Sequence, residues 1–370
     1  MTTHNPSPNA NREFDVVIWG GGIAGLAAAI SLRRLGYSVA VIERSNYERT
    51  RPGEHLPPSG VRNLEKLGLS DVLNNRKHSK CYRAHSAWWS DTFRSLDYIS
   101  SHVGHGYNLR RPQFDRDLFE VAETVGAEIF LRAKPVTIAA AGNQWQTHFF
   151  GQKETTTLAS RFVVDATGRS ASLARKLDAT LHVADDLVAV STQYFSSHQM
   201  EPGIFVESSD DGWWYCAVFC DGEALLSFFT DLDIYSRKFS KQKHDLERNF
   251  YTKTVLYSKF GGHVRFENAS LCSSRTQYLS TFSGKGWVAI GDAAMSFDPL
   301  SSAGISKALA HGILSASTID YSLDGYAGAL EIYGSKLRND FSSYLEVRND
   351  FYSIKTKDDR SGFWTRRRMK

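Results

Sequence analysis

The sequence predicts an α/β (mixed α+β) fold: a glycine-rich βαβ domain built from distant stretches of chain, with a mostly antiparallel sheet inserted in it. Three observations predict this. The apolar run DVVIW, just after Phe14, breaks at Gly20-Gly21-Gly22 and resumes as an alanine-rich stretch with helical spacing. Two further apolar runs end in glycine turns, RFVVDATG at 161–168 and GWVAIGDAA at 286–294. Between them, residues 187–275 hold short alternating aromatic runs such as TQYFSS, GIFVESS and WWYCAVF. Continuous apolar runs suit parallel strands covered on both faces, and alternating runs suit antiparallel strands with one face on the core.

Taken in order, residues 1–12 are polar and rich in Asn, Thr and Pro, which predicts a disordered tail. DVVIW, then IAGLAAAISLRRLG stopping at Gly36, then YSVAVIER complete one βαβ unit. KQKHDLERNFYTKTVLY predicts a helix interrupting the antiparallel run, and helical spacing returns from Ile305 to about Leu345. The expected division is a cofactor domain from 13–80, 103–186 and 275–345, a substrate domain from 81–102 and 187–274, and a C-terminal helix with a basic tail at 346–370. Arg366, Arg367, Arg368 and Lys370 read as a solvated end of the chain.

A chain of 370 residues with 42% hydrophobic content is large enough for two or three domain-sized parts. Lys plus Arg number 44 against 40 Asp plus Glu, too even a balance to argue for nucleic acid. No apolar stretch reaches the roughly 20 residues a bilayer requires. The opening MTTHNPSPNANREFD lacks a signal peptide's apolar core, so a cytoplasmic location without membrane contact is expected. Cys81, Cys216, Cys220 and Cys272 show neither zinc nor disulfide spacing, Cys216 and Cys220 read as buried thiols, and no metal is expected.

The chemistry begins at Gly20-x-Gly22-x-x-Gly25. Gly20 permits a tight turn, Gly22 lets the backbone approach a pyrophosphate, and Gly25 lets helix pack closely on strand. The helix start then offers unpaired N–H groups to phosphates. Glu43, at the end of the second strand, is placed to accept ribose hydroxyls, and Arg44 beside it is assigned to the same site. Together these predict a dinucleotide site.

The segment GDAAMSFDPLSSAGISKALAHG, 291–312, resembles the flavoprotein monooxygenase superfamily, in which a strand ends in Gly-Asp-Ala. The resemblance implies FAD, with Asp292 on its ribityl chain and the turn Pro299 to Gly304-Ile305 facing the flavin N1–C2=O edge. VVDATGRSASLAR, 163–175, resembles that superfamily's middle Asp-Gly motif, and LRRPQFDRDLFEVAETVGAEI, 109–129, the helix whose leading arginine reaches FAD, here Arg111. RPGEHLPPSGVRNLEKLGL, 51–69, resembles the halogenase-like branch. That branch holds tryptophan halogenases and the flavoproteins that mature the cysteine tryptophylquinone of lysine ε-oxidase, glycine oxidase and quinohemoprotein amine dehydrogenase. The resemblance is greatest to the second group.

The departures matter. The Trp-x-Trp-x-Ile-Pro of halogenases is replaced by Trp213, Trp214, Tyr215, Cys216, Ala217 and Val218. Lys80, eight residues before Trp88, is the counterpart of the halogenase lysine by spacing alone. Glu54 and His55 are the other catalytic candidates, able to orient a substrate or relay a proton. Trp88, Trp89, Trp213 and Trp214 wall an aromatic pocket or form core. The resemblance thus implies an FAD-dependent monooxygenase hydroxylating an indole ring, with a protein substrate (the precursor of a quinone-cofactor oxidase) and electrons from an external reductant or reductase. The alternatives are an oxygenase or halogenase of a small aromatic molecule, and a non-catalytic maturation factor.

Overall fold

The structure is a computed structural model that describes residues 12–48, 51–75, 77–151, 154–195, 200–240, 243–260, 264–266, 268–354 and 362–368. Its first sheet centres on five parallel strands in the order Trp287–Ala289, Thr155–Asp165, Arg12–Trp19, Val39–Glu43 and Glu128–Leu131. Val16, Val17, Ile18 and Trp19 are fully buried, as are Val163 and Val164 beside them, so these continuous apolar runs have both faces covered. Helix Ile23–Arg34 lies on one face, and helix Gly304–Leu323 packs on it so closely that a Cβ at Gly312 would fall 2.6 Å from the Ala27 Cβ. The first and last motifs of the domain are thereby brought together.

The second sheet has seven strands in the order Ser270–Ser273, Leu187–Phe195, Glu223–Asp231, Gly212–Val218, Gly203–Ser209, Arg83–Ala87 and Arg94–Asp97. All pairs are antiparallel except Gly203–Ser209 with Arg83–Ala87. Trp213 and Trp214 are fully buried, stacked on Phe229 at 4.0 Å and tilted against Phe228 at 4.6 Å. They are core. Helix Lys243–Lys253 covers this sheet where a helix was expected. The helical run after Ile305 breaks near Gly325, at positive φ, into helices Gly304–Leu323 and Ala329–Ser353.

Three sequence readings are corrected. Arg12, expected in the tail, opens the first strand opposite Leu158; the rest of that tail lies outside the described residues. The C-terminal arginines are folded. Helix Gly362–Arg368 buries Phe363 and Trp364 in the core of the second sheet. Arg367 is 4% exposed and bonds Asp231 at 2.7 Å, and Arg366 pairs with Asp233 at 2.7 Å. Lys370 lies outside the described residues. Cys216 is buried, but Cys220 is exposed beyond the end of strand Gly212–Val218.

Candidate active site

A cavity of about 450 Å³ runs between the two sheets. Beside the lining residues Gly22, Ile23 and Ala24 the first strand delivers Gly20, whose φ of +103° is the left-handed conformation that glycine tolerates. A Cβ there would lie 2.3 Å from the Ala166 carbonyl oxygen, and one at Gly25 only 2.0 Å from that of Gly20. At Gly22 the nearest atom is the Arg51 Nη1, 3.6 Å away, which leaves the backbone open to the cavity. Helix Ile23–Arg34 starts with no side-chain cap and no acid in its first turn. Its unpaired N–H groups suit a pyrophosphate.

Glu43 stands behind this turn, 4% exposed. Its Oε2 accepts from Gly21 N at 2.7 Å and its Oε1 from Arg51 Nη2 at 2.9 Å. Burial pushes its pKa upward, but Arg51 and the hydrogen bonds from Ser45 and Gly21 outweigh that and hold it below the ordinary value. Glu43 itself does not line the cavity, whereas Arg51 does. Arg44 is exposed at the strand end and does not line the cavity.

At the other end, strand Trp287–Ala289 leads to Asp292, which faces the cavity with its side chain 36% exposed. Lys307, three residues into helix Gly304–Leu323, donates to Asp292 Oδ1 at 2.9 Å and to the Met295 carbonyl, and Arg169 approaches Oδ2 at 3.7 Å. Burial raises the Asp292 pKa, while Lys307 and Arg169 bring it below the usual value. Gly291 N donates to His311 Nδ1 at 3.2 Å, so the imidazole is neutral; burial takes its pKa down to about 3. The turn from Pro299 ends at helix Gly304–Leu323, again with no side-chain cap or early acid. Nothing lies within 4 Å of a Cβ built on Gly304, and Gly304 and Ile305 line the cavity.

Two uncapped helix starts and a half-exposed carboxylate therefore converge on one space. That is the polarity FAD requires: N–H donors for its pyrophosphate, an acceptor for ribityl hydroxyls, and N–H donors with a positive helix end for the N1–C2=O edge. Asp165, by contrast, only builds the fold. Its buried carboxylate accepts from Thr167 N at 2.9 Å and Ala174 N at 2.7 Å, tying down the turn after its strand.

Arg111 opens helix Arg111–Thr124 and lines the cavity, with its guanidinium already engaged. It donates to the carbonyls of Pro52 and Gly53 and to Asp115 Oδ1 at 3.1 Å, clamping the segment that carries Glu54 and His55. Glu54 is 7% exposed, and burial, eased by Arg111, lifts its pKa to about 7. His55 contacts Asn108 Oδ1 and the Tyr98 hydroxyl, each at 3.1 Å, and burial lowers its pKa to about 4. With both ring nitrogens so engaged, His55 ties its segment to Asn108 and Tyr98. Lys80 is exposed in strand Ser79–Cys81 and lies outside the cavity lining, so the spacing that singled it out does not place it with the other candidates.

None of Trp88, Trp89, Trp213 and Trp214 lines the cavity. Its aromatic walls are Tyr215, Phe229 and Phe297. Lys307, Arg169 and Arg51 escaped sequence reasoning. Only Lys307 left a signal, as a lone cation in the apolar run GISKALAHG.

Residues 13–337 match the model of the FAD binding domain family. The chain is 26% identical over 367 residues to LodB of Marinomonas mediterranea, covering 96% of this chain and 97% of that protein. Tryptophan 2-halogenase of Chondromyces crocatus is 23% identical, over 96% of this chain and 70% of the halogenase. Among solved structures, the flavin-dependent halogenase CmlS superposes with a TM-score of 0.88 at 23% identity, over 98% of this chain and 68% of that one. QhpG, a peptidyl tryptophan dihydroxylase essential for tryptophylquinone cofactor biogenesis, gives 0.78 at 23% identity, over 96% of this chain and 78% of its own. The two superpositions show a shared fold. No helix among the described residues is long and apolar enough to cross a membrane. The chain belongs to the FAD binding domain family and is an FAD-dependent oxidoreductase of the flavin halogenase and monooxygenase fold.

Proposed function

We propose that this protein is an FAD-dependent monooxygenase that hydroxylates the indole of a tryptophan within a precursor protein, during maturation of a tryptophylquinone cofactor. The observation that carries this reading is the shape of the cavity. It continues past the FAD residues to Ser191, Tyr215, Ser227 and Phe229 on the antiparallel sheet, so an aromatic ring held there meets the flavin end of the site. The near end-to-end similarity to LodB and the likeness to QhpG support a tryptophan of a protein as the substrate.

When bound, FAD supplies the reductive activation of dioxygen, with two electrons from an external reductant. One oxygen atom enters the indole C–H bond and the other leaves as water. The chain's residues hold the parts in place. The N–H groups at Gly304 and Ile305 stabilise negative charge at the ring edge, and Lys307 keeps Asp292 ionised for the ribityl hydroxyls. Phe229 and Phe297 exclude water. Glu54, able to carry or release a proton near neutral pH, takes the proton that the hydroxylated ring gives up.

Purified protein with FAD, a reductant, oxygen and the unmodified precursor is expected to add oxygen to one tryptophan, read by mass spectrometry with labelled dioxygen. A precursor unchanged in mass under turnover removes the oxygenase reading. A bromine adduct formed with bromide present makes the protein a halogenase. Maturation that proceeds equally with oxidised flavin and no reductant makes it a non-catalytic factor.

A further inference from the structure

Behind Glu54 lies a second cavity, also of about 450 Å³, which shares Glu54, Arg111 and Leu225 with the first as a common wall. Leu225 lies on strand Glu223–Asp231, which also brings Ser227 and Phe229 to the first cavity, so the wall adjoins the space assigned to the aromatic ring. The shared residues line both cavities, and Gln193, opposite Leu225 in the sheet register, lines the second only.

The chemistry of the second cavity selects its occupant. Three basic residues, Lys77, Arg110 and Arg111, face three acidic ones, Glu54, Asp221 and Glu223. Arg110 is bonded to Asp221 at 2.6 Å and to Glu223 while its guanidinium lies 3.8 Å above the Phe219 ring. Arg111 is committed to Asp115 and to carbonyls. Both arginines are thus engaged, and neither guanidinium is turned to the phosphates of a pyridine nucleotide. Gln113, whose Nε2 donates to Asp117 at 2.6 Å, presents its carbonyl oxygen as an acceptor, and the Gln193 carboxamide is donor and acceptor; the pair matches the peptide group instead.

Resting on the reading that the substrate is a tryptophan of a protein, we propose that the second cavity is the substrate entrance: a polypeptide segment lies across Gln113 and Gln193 and passes its indole between Glu54 and Leu225 to the flavin. Glu54 then stands where the indole crosses, at the boundary of peptide and cofactor chambers.

The test uses FAD-loaded protein and a short blocked Gly/Ser peptide with a central tryptophan, binding being read from the flavin absorbance. Gln193→Trp and, from the helix side, Gln113→Trp are each expected to weaken peptide binding by about tenfold or more, with FAD affinity unchanged. Equal binding by both variants, absence of binding to the unaltered protein, or displacement of the peptide by NADPH overturns the entrance. The two readings fail separately. Should the peptide bind by this route while the precursor stays unmodified under turnover, the oxygenase falls and the entrance stands. Should both variants oxygenate the precursor with unchanged kcat/KM, the entrance falls and the oxygenase stands.

Discussion

Glu43 ends one parallel strand and Asp292 follows another by three residues, each near an uncapped helix start, yet the structure treats them differently. Glu43 is sealed, with Gly21 N–H, Ser45 N–H and Arg51 filling its oxygens. Asp292 keeps a face open to the cavity and leans on Lys307 from behind. The first carboxylate organises the glycine turn before any ligand arrives and does not itself line the cavity. The second is a ready acceptor whose charge is maintained by a buried cation. One site thus combines a closed adenosine end and an open flavin end.

The sharpest way to break this contrast is Glu43→Ala. It strips the acceptor from Gly21 N–H and leaves Arg51 without its partner, which should cost about 2–3 kcal/mol of stability, read as a lowered urea midpoint. The Glu43 pKa is lowered on folding, so its contribution is complete above the unfolded value and is lost as pH falls below about 4.5 through the folded value. The variant should therefore show a flatter stability profile in acid than the parent. A similar slope in both would mean that the turn does not depend on this carboxylate.

Asp292→Ala alone strands a buried lysine, so it is paired with Lys307→Met. The double change should weaken FAD by about ten- to a hundredfold while the urea midpoint moves little. Loss of stability without loss of FAD would reverse the roles assigned to the two acids.

Glu54→Gln acts through pH. Burial raises the Glu54 pKa to about 7, so the parent protein loses stability as pH rises from about 4.5 through 7, and the glutamine variant should lose less over that window. Its oxygenation rate should also lack the inflection near pH 7. An unchanged inflection assigns that proton to another group. The smallest effect expected is that of Lys80→Ala, with FAD affinity and oxygenation both preserved. A collapse of oxygenation would return Lys80 to the reacting centre.

What the sequence disclosed follows the same division. Gly20, Gly22 and Gly25 were read from a spacing that encodes backbone geometry, and Asp292 and Gly304 from the family resemblance. The partners of those motifs were not. Arg51 beside Glu43, Lys307 beside Asp292 and Arg111 under Pro52 become neighbours only when the chain folds, and a cation gives no hint of its anion. The C-terminus shows the cost of reading charge alone: Arg366 to Arg368 suggested solvent, whereas Phe363 and Trp364 just before them fix that helix in the second core and carry Arg367 to Asp231. Lys80 failed for the opposite reason. A spacing of eight residues to Trp88 had no backbone geometry behind it, and the strand exposes the side chain.

The central claim is that FAD spans from the glycine turn at Gly22 to the strand end at Asp292. Its most direct test is the dissociation constant for FAD of the Asp292→Ala/Lys307→Met protein, measured by flavin fluorescence at a pH where parent and variant are both folded. A rise of about ten- to a hundredfold is predicted. Equal affinity in the two proteins would contradict the claim, because the ribityl chain would then lie elsewhere.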